Sequence, residues 1–202
     1  CPLVLDADGL NICAILGTNA NLQQRPAPTV ITPHLGEFRT LFPDLADKER
    51  EKPSGSLRDR LELARKAVEV SGAVLLFKGA RAIVASPSNS RGETIPKIWI
   101  NPESTPALAR GGSGDVLTGL TGGLLAGCRR FGDGLAGPAS VGEVVKTAVW
   151  WHARAAILAT EERTELGVDA FTLTEYLMRV LALQRGKRSP QDPLVGVGYR
   201  SR

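Results

Sequence analysis

The sequence predicts a layered α/β protein with a largely parallel central sheet flanked by helices. Three observations carry this. Strand-like and helix-like segments alternate along the chain. The run Ala73-Val74-Leu75-Leu76-Phe77 is apolar without a break, as befits a parallel strand covered on both faces. Just before it, Ser56 to Ser71 places Leu57, Leu61, Ala64 and Val68 at helical spacing, with Arg, Glu and Lys between them.

Taken in order, Leu3 to Leu5 reads as a short strand, and Asp6 to Asn11 as a turn or helix start at its carboxyl end. Cys13 to Leu16 continues a short helix that Gly17 ends. Thr29 to Thr32 is a second strand, stopped by Pro33, and Glu37 to Leu41 a helical turn. Pro43 to Gly55 is polar and charged, and is expected as a surface loop. Ser56 suits the cap of the amphipathic helix and Gly72 its stop. Ala82 to Ser86 is a strand, Pro87 to Glu93 a polar turn, and Lys97 to Asn101 an edge strand. After the loop Pro102 to Arg110 come a glycine turn, a helix over Asp115 to Gly127 and a loop over Arg129 to Ser140. Val141 to Thr160 and Thr172 to Leu183 are the last helices. Residues 1–185 form one domain, and 186–202 a basic tail. The chain opens directly on a strand, so further residues are expected upstream of this sequence.

Composition narrows the function classes. The chain is 43% hydrophobic and 23% charged, with a net charge of +4, which is ordinary for a soluble globular protein. Its positive residues are scattered, which argues against a nucleic-acid surface and suits ligands that carry phosphate. The three cysteines have no metal-clip spacing, and an odd count argues against a disulfide framework. A reducing, cytoplasmic setting is expected. No apolar run reaches membrane-spanning length. With two histidines and no paired cysteines, a zinc centre is not expected.

The most informative stretch is Gly111-Gly112-Ser113-Gly114-Asp115, just before an apolar helix. Glycines allow unusual backbone angles and close approach of a ligand. The first N–H groups of the helix have no internal partners, and with the helix dipole they form a site for anions. A transferring phosphoryl group is a natural guest. An acid inside such a cradle makes sense if it takes a proton from an attacking hydroxyl. The plainer alternative is a turn with Asp115 as helix cap, and the residues alone leave both open. Gly119, Gly122, Gly123 and Gly127 cost about 1 kcal/mol each in a helix, so close packing or a nearby nucleotide is expected around them. The motif is neither a Walker loop nor the dinucleotide fingerprint.

Ligands of open α/β sheets sit beyond the carboxyl ends of the strands. Asp6, Asp8 and Asn11 stand at the first such end, His34 and Glu37 at the second, and Lys78 at the third. Lys78 is a candidate for nucleotide phosphate, or else a surface lysine. Glu37 is a candidate for holding Mg²⁺ through water, or a first-turn acid favoured by the dipole. Asp6 or Asp8 could orient substrate or merely cap. His34 is either a substrate contact or a simple hydrogen-bonding residue. His152 lies among small apolar residues and reads as a packed core histidine.

Four segments in this order resemble a known family: Val4-Leu5-Asp6-Ala7-Asp8-Gly9-Leu10-Asn11, Ile31-Thr32-Pro33-His34-Leu35-Gly36-Glu37, Leu76-Phe77-Lys78-Gly79-Ala80 and Gly111-Gly112-Ser113-Gly114-Asp115-Val116-Leu117-Thr118-Gly119. Together they are similar to the NAD(P)H-hydrate dehydratases of the ribokinase-like superfamily. The resemblance implies a ribokinase-like fold and a repair reaction. The S form of hydrated NADH or NADPH is phosphorylated on its ring hydroxyl by ADP or ATP, with Mg²⁺. Loss of phosphate then restores the nicotinamide double bond.

Under the same resemblance, Asp115 is the base that activates the hydroxyl. Gly112, Ser113 and Gly114 line the anion hole, and Lys78 lies near the nucleotide phosphates. His34 and Asn11 fall on the substrate side, and Glu37 takes the place of the acid near magnesium. The resemblance also suggests a homo-oligomer. Three features depart from it. The glycine-rich strand region that precedes the first strand in relatives is absent from this sequence, as is the epimerase domain many of them carry. Asn101 to Arg110 lacks expected glycines. A kinase of a vitamin-precursor alcohol and a non-catalytic nucleotide-binding relative are the alternatives.

Overall fold

The computed structural model describes residues 1–17, 22, 24–50, 56–87, 89–90, 93–94, 96–130 and 138–186. The central sheet has five strands in the order β1-β2-β3-β4-β7, where β1 is Leu3–Leu5, β2 Thr29–Ile31, β3 Val74–Phe77, β4 Ile83–Ser86 and β7 Lys97–Ile100. A separate two-stranded ribbon joins β5 (Asn89–Ser90) to β6 (Glu93–Thr94) where the sequence suggests only a polar turn.

The sheet is mixed. β1 pairs with β2 and β2 with β3 in parallel, whereas β3–β4 and β4–β7 are antiparallel. The expectation of a largely parallel sheet therefore holds for its first half only. The reason is connection length: β2 reaches β3 through a crossover of three helices, while only residues 78–82 separate β3 from β4. A link that short closes an antiparallel pair and no parallel one.

Side chains of β3 alternate between two helical layers, because successive residues of a strand face opposite ways. Leu75 and Phe77 pack with Phe38 and Leu41 of α2 (Leu35–Leu41) and with Leu63 and Ala67 of α4 (Leu57–Ser71). Val74 and Leu76 pack with Leu117 and Leu125 of α5 (Ser113–Arg130) and Val145 of α6 (Pro138–Arg163). That is why this strand reads as an unbroken apolar run. A third cluster joins α6 to α7 (Ala170–Gly186) through Ala155, Ala159, Leu173 and Leu177.

The amphipathic helix α4 begins as expected. The Ser56 side chain accepts from the Asp59 N–H, the Asp59 side chain accepts from the Ser56 N–H, and Gly72 closes the helix in the left-handed region. The polar insert is not a loop over its first part: Pro43 to Arg50 forms α3. Proline is favoured at a first helical position, and Asp44 suits the first turn. The loop expected over 129–140 is helical at both ends, since α5 runs to Arg130 and α6 starts at Pro138; 131–137 lie outside the described residues. Helix α7 extends to Gly186, and the rest of the basic tail lies outside the described residues. Among the described residues, no helix is long and apolar enough to cross a membrane.

The parallel half aligns the carboxyl ends of β1, β2 and β3. Helix α1 (Asp8–Ile15) starts just after β1, α2 just after β2, and Lys78 just after β3. The Lys78 N–H donates to the Pro33 carbonyl at 2.9 Å, and the Thr32 N–H to the Leu5 carbonyl at 3.1 Å, so these ends are tied side by side.

Candidate functional site

The glycine turn sits directly above those strand ends. Gly112 has φ +84°, and a Cβ there would lie 2.8 Å from the Ala170 Cβ, so glycine is required twice over, by backbone angle and by space. Helix α5 starts at Ser113. A Cβ on Gly114 would sit 3.7 Å from Asp6 Oδ2 and 3.8 Å from Lys78 Nζ, so the bare backbone leaves the gap between helix start and strand ends open.

A charged cluster fills the floor beneath. Lys78 Nζ donates to Asp6 Oδ1 at 2.6 Å and lies 3.5 Å from Glu37 Oε2. Thr118, one turn into α5, donates from its hydroxyl to Asp6 Oδ2 at 2.7 Å. Burial pushes the Asp6 carboxyl up, but hydrogen bonds from Lys78, Thr118 and Thr32 and the lysine charge outweigh it and hold it below its ordinary value. Arg60 of α4 supports the β3 end, donating from Nη2 to the Phe77 and Lys78 carbonyls at 3.4 and 3.3 Å.

His34 caps α2. The Glu37 N–H donates to His34 Nδ1 at 3.1 Å, while the His34 N–H donates to Glu37 Oε2 at 2.7 Å. Glu37 thereby links the second strand end to Lys78. The sequence-derived candidates Glu37, His34, Lys78 and Gly114 thus meet in one place. Asp8 and Asn11 do not join this network. Both are exposed on α1, which packs beside α2.

The residue that bridges β1, β3 and α5 is Asp6 rather than Asp8. Its neighbour Ala7 has φ 45° and ψ −118°, and the Ala7 N–H donates to Asp6 Oδ1 at 2.9 Å. A side chain in that backbone region costs about 1–3 kcal/mol. Ala7→Gly should relieve it, less the entropy glycine adds to the unfolded chain. The expected gain is about 1 kcal/mol in chemical denaturation, and a loss of stability would show that the corner carries no strain.

A cleft of about 790 Å³ opens from this cluster. Its lining includes Lys78, Ser113 and Gly114 at one end, and apolar surface from Leu108, Leu117 and Val149. Asn101, Glu103 and His152 contribute polar groups to it. His152 is buried, as the sequence suggests, yet it is not merely packed. Its Nε2 lies 3.0 Å from the Ser113 carbonyl and 3.4 Å from the Ser113 hydroxyl. Burial pushes its pKa down to about 4, against a smaller opposing effect of the Ser113 backbone.

Asp115 occupies the first turn of α5 and is exposed. It stands outside the lining of the cleft, one residue beyond Gly114. Gly119, Gly122, Gly123 and Gly127 have no heavy atom within 4 Å of where a Cβ would sit, so the close packing expected around them is not there among the described residues. Nothing in the structure explains these four glycines.

Sequence reading alone undervalued Asp6, Thr118 and His152. Thr118 was detectable in principle, since it lies four residues beyond Gly114 and so on the same helical face. His152 offered one signal, a polar ring in an apolar stripe.

The floor also bears on a divalent cation. Asp6 and Glu37 are hard oxygen donors facing one point, now taken by the Lys78 ammonium. Among the described residues no group of three or more His, Cys, Asp or Glu could hold a metal. Mg²⁺ ordinarily asks for less, one or two carboxylates with phosphate oxygens completing its shell, so these residues fit it.

Comparison with known proteins bears on family and fold. The model of the NAD(P)H-hydrate dehydratase family matches residues 1–179. The chain is 48% identical over 178 residues to the bifunctional NAD(P)H-hydrate repair enzyme Nnr of Synechocystis sp., covering 88% of this chain and 29% of that one. With the same enzyme of Gloeobacter violaceus it is 49% identical over 180 residues, covering 89% and 30%. The chain therefore spans under a third of these relatives. Among solved structures, the ADP/ATP-dependent NAD(P)H-hydrate dehydratase from Bacillus subtilis, co-crystallised with ATP/Mg²⁺, superposes with a TM-score of 0.65 at 27% identity, covering 91% of this chain and 55% of that one. A ribokinase-like superfamily protein from Enterococcus faecalis superposes at 0.62 with 18% identity over 89% and 52% of the two chains, which bears on fold alone. The fold is the ribokinase-like layered one, with a mixed central sheet, and the chain belongs to the NAD(P)H-hydrate dehydratase family.

Proposed function

We propose that this chain carries the nucleotide-dependent dehydratase part of a repair enzyme that returns (S)-NAD(P)H hydrate to NAD(P)H, and that it corresponds to the C-terminal portion of its longer relatives. The single observation that supports this most is the start of α5. It is opened by Gly112 and Gly114 and lines a cleft beside Lys78.

In this reading the nucleotide lies in the cleft with its phosphates at the turn of Gly112, Ser113 and Gly114, where the Ser113 N–H, which donates to the Arg110 carbonyl at 3.3 Å, would turn to the phosphate. The helix start favours negative charge there, and Lys78 adds a point charge. The hydrate lies beside the turn, near the exposed Asp115, with His34 on the cleft lining and Asp8 and Asn11 exposed on α1. Asp115 takes the proton of the ring hydroxyl as its oxygen attacks the terminal phosphorus of ADP or ATP. The P–O bond to the shorter nucleotide breaks. Phosphate then departs with its C–O electron pair while a proton leaves the neighbouring ring carbon, restoring the double bond. Glu37, through water, and Asp6 would hold Mg²⁺, which neutralises phosphate charge when bound.

The exposure of Asp115 outside the cleft lining favours one competing reading, a relative that binds nucleotide without turnover. Incubation of hydrated NADH with ADP or ATP and Mg²⁺ separates them. The dehydratase restores the reduced-nicotinamide absorbance and releases one inorganic phosphate per NADH. A stable phosphorylated product would instead indicate a kinase. Tight nucleotide binding with neither product would leave the non-catalytic relative.

A further inference from the structure

We propose that His152 is a positioning residue that sets the backbone of the anion-binding turn from a separate helix. The assignment rests on the nucleotide reading above. The ring belongs to α6, at 5% exposure, among Ala148, Val149, Ala153 and Ala156. A polar ring in such surroundings is costly unless it is hydrogen-bonded. The Ser113 carbonyl, 3.0 Å from Nε2, can only accept, so Nε2 carries the hydrogen and Nδ1 is left as an acceptor. This bond reaches the first residue of α5, the point where the helix offers its unpaired N–H groups.

Gly112 packs on Ala170 of α7 and Thr118 ties the next turn to Asp6, but among the described residues hydrogen bonds to the turn itself are few. Gly111 and Gly112 have no side chains, and a Cβ at Gly111 would find nothing within 4 Å. Within the chain segment itself, the Ser113 N–H donates to Arg110 at 3.3 Å and the Val116 N–H to Gly112 at 3.1 Å. Among the described residues, His152 is the one side chain of another element that hydrogen-bonds residues 111–114. Anion binding by backbone N–H groups depends on their being fixed before the anion arrives. A single buried donor on a 26-residue helix supplies that constraint. It does so as a dipole, since the ring is neutral at neutral pH, and so the phosphate-binding N–H groups are aligned without a second charge competing with Lys78.

The test compares the full chain with His152→Leu, which fills the volume without a donor, and His152→Gln, whose carboxamide N–H can reach the same carbonyl. Calorimetry reads binding of ADP and of adenosine, which lacks phosphate. The expected result is a roughly tenfold or greater loss of ADP affinity in His152→Leu, recovery to within about threefold in His152→Gln, and, because the ring also lines the cleft, a loss of adenosine affinity in His152→Leu at least about threefold smaller than the loss for ADP. Equal weakening of ADP and adenosine would mean a packing role only and overturn the proposal, as would an unchanged ADP affinity in His152→Leu. If His152→Leu does not fold, nitrogen NMR of the parent decides: the Nε2–H tautomer supports the assignment and the Nδ1–H tautomer overturns it. Failure of the parent to bind either compound would defeat the nucleotide reading itself and this assignment with it, an outcome distinct from the others.

Discussion

Asp115→Asn should bind ADP and ATP within about threefold of the parent, yet turn over hydrated NADH about 10²–10⁴ times more slowly, the usual worth of a positioned general base. The two side chains are nearly isosteric, so helix α5 keeps its start, and the nucleotide phosphates meet the same N–H groups. What is lost is a group able to accept the hydroxyl proton. Asp115 is the exposed residue next to Gly114, which with Ser113 lines the cleft, so its carboxylate is close in sequence to the proposed phosphate site and open to solvent. Single-turnover kinetics at saturating nucleotide and hydrate make the comparison. Equal rates in parent and variant would remove Asp115 from the chemistry and leave it as an exposed first-turn acid.

The second large effect is on stability. His152 has its pKa pushed down from 6.5 to about 4 by burial. Above pH 6.5 the ring is neutral in both folded and unfolded chains and contributes no pH dependence. Between 6.5 and 4 the unfolded chain takes up a proton that the folded chain refuses, so stability falls as pH falls. Below 4 both states are protonated and the loss levels off. A gap of this size corresponds to about 3 kcal/mol. Carboxylates such as Asp6 also lose stabilisation in acid, so the contribution of His152 is read as the difference between the parent and His152→Gln in urea titrations from pH 7 to 4. The parent should lose about 3 kcal/mol more than the variant. Parallel curves would show that the ring titrates normally in the folded protein.

Much of the site was legible from residue order because its parts lie at the ends of elements that local chemistry defines. Pro33 ends β2, Gly72 ends α4, and the glycine turn marks a helix start to within two residues, at Ser113 where Asp115 is expected. The polar residues just past each strand could therefore be assigned to one rim. The same local reasoning failed at Pro43 to Arg50, where a charged stretch was expected as loop. There the proline at the first position and the contacts of α3 with α2 and α4 outweigh a polar composition. It also failed at β4, where a short link dictates an antiparallel partner and makes half the sheet non-parallel.

By itself, the amino-acid sequence determined the kind of layers, the polar residues just past the parallel strands, and the glycine turn before α5. These follow from torsional preferences, capping and apolar periodicity, all of which act within a few residues. Only the tertiary structure decided which rim groups meet. Asp6 was chosen over Asp8 because it is tied to Thr118, 112 positions away. His152 became a partner of Ser113 across 39 positions, and Asp115 was left exposed outside the cleft lining. Contacts at such separations depend on how crossovers stack the helices on the sheet, and no local rule contains that information.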